Sequence, residues 1–542
     1  MRNLLHERVS ARAETSAGEL ALAMHDERMT YAELEAGAGR FANALEAVGG
    51  RPGDRVCLIV PKSPAAVVAM LGTLKAGCVY VPVDSSSPVA RVGKIVAAAD
   101  PSVVAVTAAT APLLDALVET GALPEDVRCI ALDDATRGER FGVSLDSRDL
   151  PELPEVARTI DVADDAAAHI LFTSGSTGVP KGVEITHANV CAFLDWAVPF
   201  FGIAPGDRVS GHAPLYFDLS TFDVYGALSA GAELHLVPPE SSLLPGDLAA
   251  LIEREQLVQW FSVPSVLTYM ANFGAVVEGA FQSLRRVIWC GDALPTPVLV
   301  HWMKRIPHAS YTNLYGPTET TIASSFHVVE EVPEDETAPI PIGRACAGEE
   351  LLVLDEALRP VRPGRVGNLY VGGVGLSPGY WRDPEQTAAA FVADPRSPDS
   401  GRRLYRTGDL ARVDELGTVY FLGRVDSQIK SRGHRIELGE VEAAVNAAGL
   451  VRESAVVGVD SGDFAGTAIC CAVAHDDEGV VRELRAALRQ TLPSYMVPSQ
   501  WLVLPALPQN GNGKTDRLRL RELFRDRRQT PARKAPETAE TS

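Results

Sequence analysis

Short apolar runs that alternate with helical patterns constrain the fold of this chain more than any other feature. The runs include RVCLIVP (55–61), VYVPVD (79–84), HILFTSG (169–175) and RRVIWCG (285–291), with helical segments such as SPAAVVAMLGTLKAG (63–77) between them. Continuous apolar strands separated by helices are typical of parallel sheets that are buried on both faces. We therefore expect an α/β fold with more than one doubly wound sheet.

The length and the changes in composition divide the chain. A chain of 542 residues exceeds one ordinary core. Near residue 340 the pattern changes to strands joined by proline and glycine turns, which indicates a small β-barrel-like subdomain. The last hundred residues mix short strands and helices and indicate a small, mobile α+β domain. We predict a large domain over 1–425, a small C-terminal domain over 426–528 and a disordered tail over 529–542.

Charge and cysteine usage exclude several classes of function. The formal net charge of −20 argues against nucleic-acid or anionic-membrane partners. The eight cysteines include no C-x-x-C pair, so we interpret them as small buried side chains in a reducing cytoplasm. The N-terminus lacks the apolar segment of a signal peptide, and the apolar run that ends at Lys75 is too short to span a bilayer. These features predict a soluble cytoplasmic protein.

A polar, glycine-rich loop follows the apolar run at 169–173. The stretch LFTSGSTGVPKG (171–182) combines glycines, serines and threonines with Lys181. Backbone N–H groups, hydroxyls and one cation of this kind can bind phosphate oxygens. The loop matches neither the G-x-x-x-x-G-K-[ST] nucleotide loop nor the G-x-G-x-x-G dinucleotide fingerprint. A turn without function stays open for this stretch taken alone.

Further motifs follow in a fixed order. They are LKAGCVYVPVD (74–84), NLYGPTETT (313–321), LYVGGVGLSPGYW (369–381), RLYRTGDLAR (403–412), GRVDSQIKSRGHRIELGEVE (423–442) and LPQNGNGKTDR (507–517). Each motif is weak alone. Together they resemble the adenylate-forming superfamily, which includes acyl-CoA synthetases, luciferases and nonribosomal peptide adenylation domains. The wording is most similar to stand-alone amino-acid-activating enzymes such as D-alanyl carrier protein ligase.

The resemblance implies an ATP-dependent, AMP-forming ligase that converts a carboxylic acid into an acyl adenylate. It assigns the triphosphate to the glycine-rich loop, adenine to Tyr315 and the backbone at 291–292, and the ribose to Asp409. Thr318 would contact the α-phosphate, Glu319 would hold Mg²⁺, and Lys514 would stabilise the transition state. The nucleotide-binding residues implied are Thr173, Ser174, Gly175, Ser176, Thr177, Gly178, Lys181, Gly291, Asp292, Tyr315, Gly316, Asp409 and Arg424.

The same resemblance implies which acid is activated. Asp218, in LYFDLSTFDVYGAL (215–228), falls where amino-acid-activating members hold the α-ammonium group; an N-cap aspartate is the alternative. The implied pocket is Asp218, Leu219, Phe222, Ser262, Ile288, Cys290, Leu314, Ile322 and Ala323. It is apolar and has no second charge, so we expect a small amino acid. Alanine is our first expectation, followed by glycine, serine and cysteine.

The second half-reaction would use a hinge at Asp426, which coincides with the predicted domain boundary. We find no phosphopantetheine attachment site, so the expected acceptor is the phosphopantetheine thiol of a free-standing carrier protein. Arg525, Arg527 and Arg528 would form a basic docking face for that acidic partner; a solvated helix face without a partner is the alternative. Two alternatives stay open: an acyl- or aryl-CoA ligase that uses coenzyme A, and a non-catalytic nucleotide sensor.

Overall fold

The computed structural model describes residues 3–124, 126–175, 178–460, 467–510 and 515–529. A nine-stranded sheet and a seven-stranded sheet dominate the first two thirds of the chain. Six neighbouring strands of the larger sheet are parallel, and antiparallel strands close both of its edges. In spatial order its strands are Arg344–Ala345, Ser325–Val329, Ser310–Tyr315, Arg286–Trp289, Gln259–Ser262, Arg208–Gly211, Glu233–Leu236, Leu20–Met24 and Glu27–Thr30.

The seven-stranded sheet carries the glycine-rich loop. Its strands, in spatial order, are Gly379–Tyr380, Lys181–Thr186, Ala167–Thr173, Val79–Pro82, Arg55–Ile59, Val103–Val106 and Arg128–Ala131. The last five are parallel, and the strands on either side of the loop pair antiparallel, with Thr173 opposite Lys181. Both ends of the loop are therefore fixed by one strand pair.

Helices cover both sheets and begin where their sequences supply caps. The helices of this part are Leu5–Thr15, Tyr31–Ala47, Pro64–Lys75, Val89–Ala99, Ala111–Glu119, His187–Phe201, Pro245–Arg254, Pro264–Asn272, Thr296–Arg305 and Pro384–Ala390. The helix after the loop begins with a capping box in which Thr186 and Asn189 satisfy each other's backbone N–H groups. A short helical segment, Leu219–Thr221, continues through a π-helical turn, Phe222–Gly226, into Ala227–Ala230.

A third, five-stranded sheet is entirely antiparallel. It contains Glu349–Leu354, Val366–Gly373, Arg403–Val413, Phe391–Ala393 and Val419–Arg424. Its register places Asp409 opposite Arg424. The β-rich subdomain expected after residue 340 is therefore present.

The C-terminal part has its own core. It consists of the hairpin Gln428–Ser431 and His434–Glu437, a sheet of Ser454–Asp460, Thr467–Ala474 and Gln500–Leu504, and the helices Leu438–Ala447, Val480–Leu488 and Arg517–Gln529. The predicted α/β fold with a small α+β C-terminal part is confirmed. Residues 530–542, most of the predicted tail, lie outside the described ranges.

The cysteines and the helix lengths agree with the composition. All eight cysteines are buried, as expected for small core side chains. In the part of the chain that the structure describes, no helix has the length and apolar character that a membrane crossing requires.

Candidate active site

Two adjacent cavities, which share Gly291, Tyr315, Arg424 and Lys430 in their linings, lie between the large sheets and the C-terminal hairpin. The first, of about 110 Å³, is lined by residues of the glycine-rich loop, by Asp218 and Thr318, and by Lys430 and Arg435 of the hairpin. The second, of about 380 Å³, is lined by Asp292, Asn313 and Tyr315 on one side and by 426–430 on the other. The structure therefore brings most of the predicted nucleotide residues to one cleft.

The glycine-rich loop offers an unused hydroxyl to this cleft. The Thr173 hydroxyl oxygen is buried and has no hydrogen-bond partner among the described residues. The Ser174 hydroxyl donates to the backbone oxygen of Arg435 at 2.6 Å. Burial lowers the pKa of Lys181, and its ammonium lies 5.1 Å from the centre of the Tyr380 ring. An acceptor for Thr173 and a charge beside Lys181 are what a phosphate group would supply. Ser176 and Thr177 lie outside the described residues.

Tyr315, Asp409 and Arg424 form a buried cluster on three strands, which we call the strand cluster. The Tyr315 hydroxyl donates to one oxygen of Asp409 at 2.5 Å, and Arg424 donates to the other. Arg424 also binds Asp426, the predicted hinge residue, at 2.7 Å. The strand register fixes the positions of Asp409 and Arg424, and the Asp409 side chain lines the smaller cavity.

Glu319, Tyr380 and Arg435 form a second cluster that joins the two parts of the chain, which we call the bridging cluster. Glu319 is fully buried and accepts from the Tyr380 hydroxyl and from Arg435, each at 2.7 Å. Burial opposes its ionisation, but Arg435 and Lys181 outweigh that effect and lower the pKa of Glu319 to about 2. Glu319 is therefore a charged carboxylate with both oxygens engaged.

The contacts of Glu319 with Tyr380 and Arg435 affect its predicted role as a Mg²⁺ ligand. Among the described residues no group of three metal-ligating side chains comes together. Mg²⁺ is commonly held by one or two carboxylates together with phosphate oxygens and water. The chemistry of Glu319 fits that role only when Arg435 has left the carboxylate.

Asp218 lies in the smaller cavity and does not act as an N-cap. It makes no side-chain cap to the helical segment that follows it, and its carboxylate accepts from the Thr318 hydroxyl at 2.7 Å. Burial raises the pKa of Asp218, while Thr318 and Lys430 act in the opposite direction. Asp223, a second aspartate of the stretch 215–228, lies outside this cavity, beside Lys62. Asp218 is thus positioned to meet a cation.

The other predicted pocket residues are buried. Leu219 lines the smaller cavity and Leu314 lines the larger one, whereas the remaining side chains line neither: Phe222, Ser262, Ile288, Cys290, Ile322 and Ala323. The Ser262 hydroxyl accepts from the Trp260 indole at 3.0 Å and donates to the Val263 oxygen at 3.3 Å. It is therefore committed to the protein. The whole cavity is smaller than a cavity of about 150 Å³ that accommodates benzene.

Sequence reasoning missed the residues that the hairpin and the motif at 369–381 bring to the cleft. Arg435 and Tyr380 hold Glu319, and Lys430 lies 5.5 Å from the centre of the Tyr315 ring. Arg91 forms an ion pair, at 2.7 Å, with Glu440 on the helix that follows the hairpin. The charged motif at 423–442 indicated that this segment belongs to the site, but it did not indicate which residues Lys430 and Arg435 contact. Lys514, the predicted catalytic residue, lies outside the described residues.

Comparison with known proteins agrees with this geometry. The family described as AMP-binding enzyme matches residues 9–381, and its C-terminal domain matches residues 440–514. The chain belongs to the AMP-binding enzyme family. The predicted membership of the adenylate-forming superfamily is therefore confirmed, and ATP is the nucleotide that these enzymes use.

Relatives of similar length include amino acid ligases. An L-proline–[L-prolyl-carrier protein] ligase of Streptomyces coelicolor is 37% identical over 501 residues, 91% of each chain. One of Pseudomonas fluorescens is 36% identical and covers 95% of this chain and 98% of its own. The adenylation domain AlmE of Vibrio cholerae, solved with glycyl-adenosine-5'-phosphate, has a TM-score of 0.81 at 26% identity and covers 97% of this chain and 98% of its own.

Proposed function

We propose that the protein activates a small amino acid with ATP and transfers the aminoacyl group to the phosphopantetheine thiol of a separate carrier protein. One observation carries this proposal. A cavity-lining carboxylate, Asp218, shares one cavity with the phosphate-binding candidates Thr173 and Ser174. An amine clamp beside a phosphate loop suits an amino acid whose carboxylate attacks the α-phosphate of ATP.

In this proposal one group of residues binds the amino acid and another group binds the nucleotide. Asp218 accepts hydrogen bonds from the substrate amine and orients the carboxylate. Thr173, Ser174 and Lys181 bind phosphate oxygens, and Asp409 accepts from the ribose hydroxyls. Glu319 would hold Mg²⁺, which neutralises phosphate charge when bound. Lys514 would stabilise the charge that develops during adenylation.

L-proline is the first candidate for the substrate. The two relatives named above are L-proline ligases, and nothing in the comparisons supports the expectation of alanine. A cyclic secondary ammonium retains two N–H donors for Asp218, and an apolar ring suits the apolar floor. Glycine and alanine follow because the cavity is small.

ATP–pyrophosphate exchange across the twenty amino acids, D-alanine and β-alanine tests the first half-reaction. Exchange with one small amino acid supports the proposal; silence with every acid favours a nucleotide sensor. Asp218→Asn should raise the KM for the amino acid by roughly 10²–10³, since breaking a buried ion pair costs about 3–5 kcal/mol. Asp292→Asn is the matched control, because Asp292 lines only the other cavity. A KM within threefold of wild type for Asp218→Asn would refute the amine clamp.

Lys514→Ala tests the catalytic assignment in the same assay. Losing one preorganised donor lowers such rates by roughly 10²–10³, so exchange should fall by that factor. A rate within threefold of wild type would contradict the role.

Mass spectrometry of a carrier protein tests the second half-reaction. Loading of the carrier's thiol supports the proposal, whereas transfer to free coenzyme A alone favours an acyl-CoA ligase. Arg525 is exposed, and Arg527 donates to the Trp501 oxygen at 3.0 Å; the Arg528 side chain lies outside the described residues. Unchanged loading after all three become alanine would exclude the basic docking face.

A further inference from the structure

A half-buried glutamate beside the turn at 318–324 takes part in none of the contacts described so far. Glu349 begins the strand Glu349–Leu354, and one of its oxygens accepts the N–H of Gly375 at 2.6 Å. Its other oxygen is buried and has no hydrogen-bond partner among the described residues. The next residue, Glu350, forms ion pairs with Arg396 and Arg402. Two adjacent glutamates therefore have different environments.

The glycines at 373 and 375 make room for the Glu349 carboxyl group. A Cβ atom on Gly375 would lie 2.7 Å from one carboxyl oxygen, and a Cβ atom on Gly373 would lie 2.8 Å from the other. Gly373 also has a φ of +135°, which side-chain-bearing residues rarely adopt. The carboxyl group thus occupies the space that two absent side chains leave.

Both peptide groups that flank Gly375 are held by hydrogen bonds. Its N–H donates to Glu349, and its carbonyl accepts from the Thr321 hydroxyl at 2.7 Å. Thr321 and the next residue, Ile322, have φ values of +59° and +68°. Two consecutive β-branched residues in the left-handed region are strained and persist only where the surroundings enforce them. The bond from Thr321 to Gly375 is one such constraint.

The strained pair stands at the end of the segment that carries the candidate catalytic groups. Thr318, which donates to Asp218, and Glu319 lie in the turn Thr318–Thr320 directly before Thr321. The backbone oxygen of Glu319 also accepts from Ser377, two residues after Gly375. The segment 375–377 therefore fixes the turn at two points.

We propose that Glu349 is a positioning residue for the turn that carries Thr318 and Glu319, and that it acts through Gly375. Loss of the carboxyl group removes the acceptor of the Gly375 N–H, and the glycine, which has no side chain to restrict its φ and ψ angles, can then reorient its carbonyl group. The Thr321 hydroxyl then loses its fixed acceptor, and the strained turn can relax away from the cleft. The consequence for catalysis rests on the proposed function, whereas the effect on the turn does not.

Three variants test this assignment: Glu349→Ala, Glu349→Gln and Glu350→Ala. Hydrogen exchange of the backbone at 316–324, followed by mass spectrometry, should be at least fivefold faster in Glu349→Ala than in wild type. Glu349→Gln should restore protection because its amide oxygen can accept from Gly375. Glu350→Ala is the matched control and should leave this segment unchanged.

The same variants are assayed by ATP–pyrophosphate exchange with the preferred amino acid. Glu349→Ala should lower kcat by about tenfold, since a misplacement of about 1 Å in a catalytic group can cost about 100-fold. The KM for the amino acid should rise by less than kcat falls, because Asp218 lies on another segment and loses only its bond from Thr318. Glu349→Gln should recover most of kcat.

Each outcome decides between possibilities. Unchanged exchange at 316–324 in Glu349→Ala overturns the assignment, whatever the activity. Faster exchange there with unchanged kcat overturns the link from the turn to catalysis. If wild type shows no exchange of pyrophosphate with any amino acid, the proposed function fails, and the hydrogen-exchange arm still decides the role of Glu349.

Discussion

The strand cluster and the bridging cluster both stabilise a buried carboxylate, but they take the partner residues from different parts of the chain. Each buries a carboxylate and satisfies it with one tyrosine hydroxyl and one guanidinium. All three residues of the strand cluster lie on strands before residue 425, whereas the bridging cluster takes Arg435 from the C-terminal hairpin. The first is therefore part of the large domain's architecture. The second exists only while the hairpin is docked.

This difference suggests different duties for Asp409 and Glu319. A carboxylate that must orient a ligand in every state of the protein is best fixed by neighbouring strands. A carboxylate that must release a guanidinium before it can hold a cation needs a partner on a separable element. The resemblance to adenylate-forming enzymes implies such movement about Asp426, and Asp426 itself binds Arg424 of the strand cluster.

The largest effect that would sharpen this comparison is expected from Arg424→Ala. It leaves Asp409, 4% exposed, without its cation. Breaking a buried pair in this way costs about 3–5 kcal/mol, so the free energy of unfolding of the large domain should fall by that amount in urea titrations. Arg412→Ala serves as control, because that guanidinium lies against the Tyr420 ring. A loss below about 1 kcal/mol, the range of exposed ion pairs, would show that the strand cluster is not a fixed unit.

The strand cluster was largely predictable from the sequence, whereas the bridging cluster was not. Tyr315, Asp409 and Arg424 were all predicted to meet the nucleotide, because the motifs that contain them resemble those of adenylate-forming enzymes. The pairing of Glu319 with Arg435 depends on how two domains dock, and no local pattern encodes that. Glu349 gave no signal either, since its partner is a backbone N–H that becomes available only through the glycine turn.

The predicted substrate pocket shows a similar limit. Most of its apolar residues belong to one buried core cluster, but only Asp218 and Leu219 line the smaller cavity. The sequence specifies which side chains form the floor. It does not specify the volume above them, which also depends on Lys430 and Arg435 of the docked hairpin.

A pH titration provides the second test, at a carboxyl group outside both clusters. Burial raises the pKa of Glu349 from 4.5 to about 7. A group whose pKa is higher in the folded state stabilises the fold below its unfolded pKa, and this contribution is lost as the pH rises through the folded pKa. Between pH 4.5 and pH 8, wild type should lose up to about 3 kcal/mol of stability relative to Glu349→Gln.

The groups that surround Glu349 do not titrate between pH 4.5 and pH 8, so they do not contribute to the expected difference. The turn at 372–376 has no titratable side chain, and burial raises the pKa of the facing Cys346 thiol, which stays neutral. Glu319, in the neighbouring turn Thr318–Thr320, stays ionised over this pH range, because its pKa is about 2. Urea titrations of both proteins at several pH values measure the difference. Parallel stability curves would show that Glu349 does not titrate in this range.

Removal of one hydroxyl from each cluster gives a matched comparison of smaller size. Tyr315→Phe and Tyr380→Phe each delete a hydrogen bond to a buried carboxylate. Bonds to charged groups contribute about 1.5–3 kcal/mol. Tyr315→Phe should cost an amount in this range, whereas Tyr380→Phe should cost less, because Lys181 lies over that ring and can approach Glu319. If urea titrations show that both variants lose the same free energy of unfolding, the two clusters do not differ in how firmly the tyrosine holds the carboxylate.

The smallest effect on global stability is expected from Arg435→Ala. The variant breaks a buried pair, as Arg424→Ala does, but the proposed rotation about Asp426 would separate the two parts of the chain that this contact joins, and water and Lys181 would then reach Glu319. The unfolding free energy of the large domain should change by less than about 1 kcal/mol, because only a local opening is affected. Hydrogen exchange of the hairpin at 428–437 should instead become at least fivefold faster. Arg432→Ala, an exposed arginine on the same hairpin, is the control. A global loss as large as that of Arg424→Ala would mean that the hairpin is permanently docked and that Glu319 is never free to bind a cation.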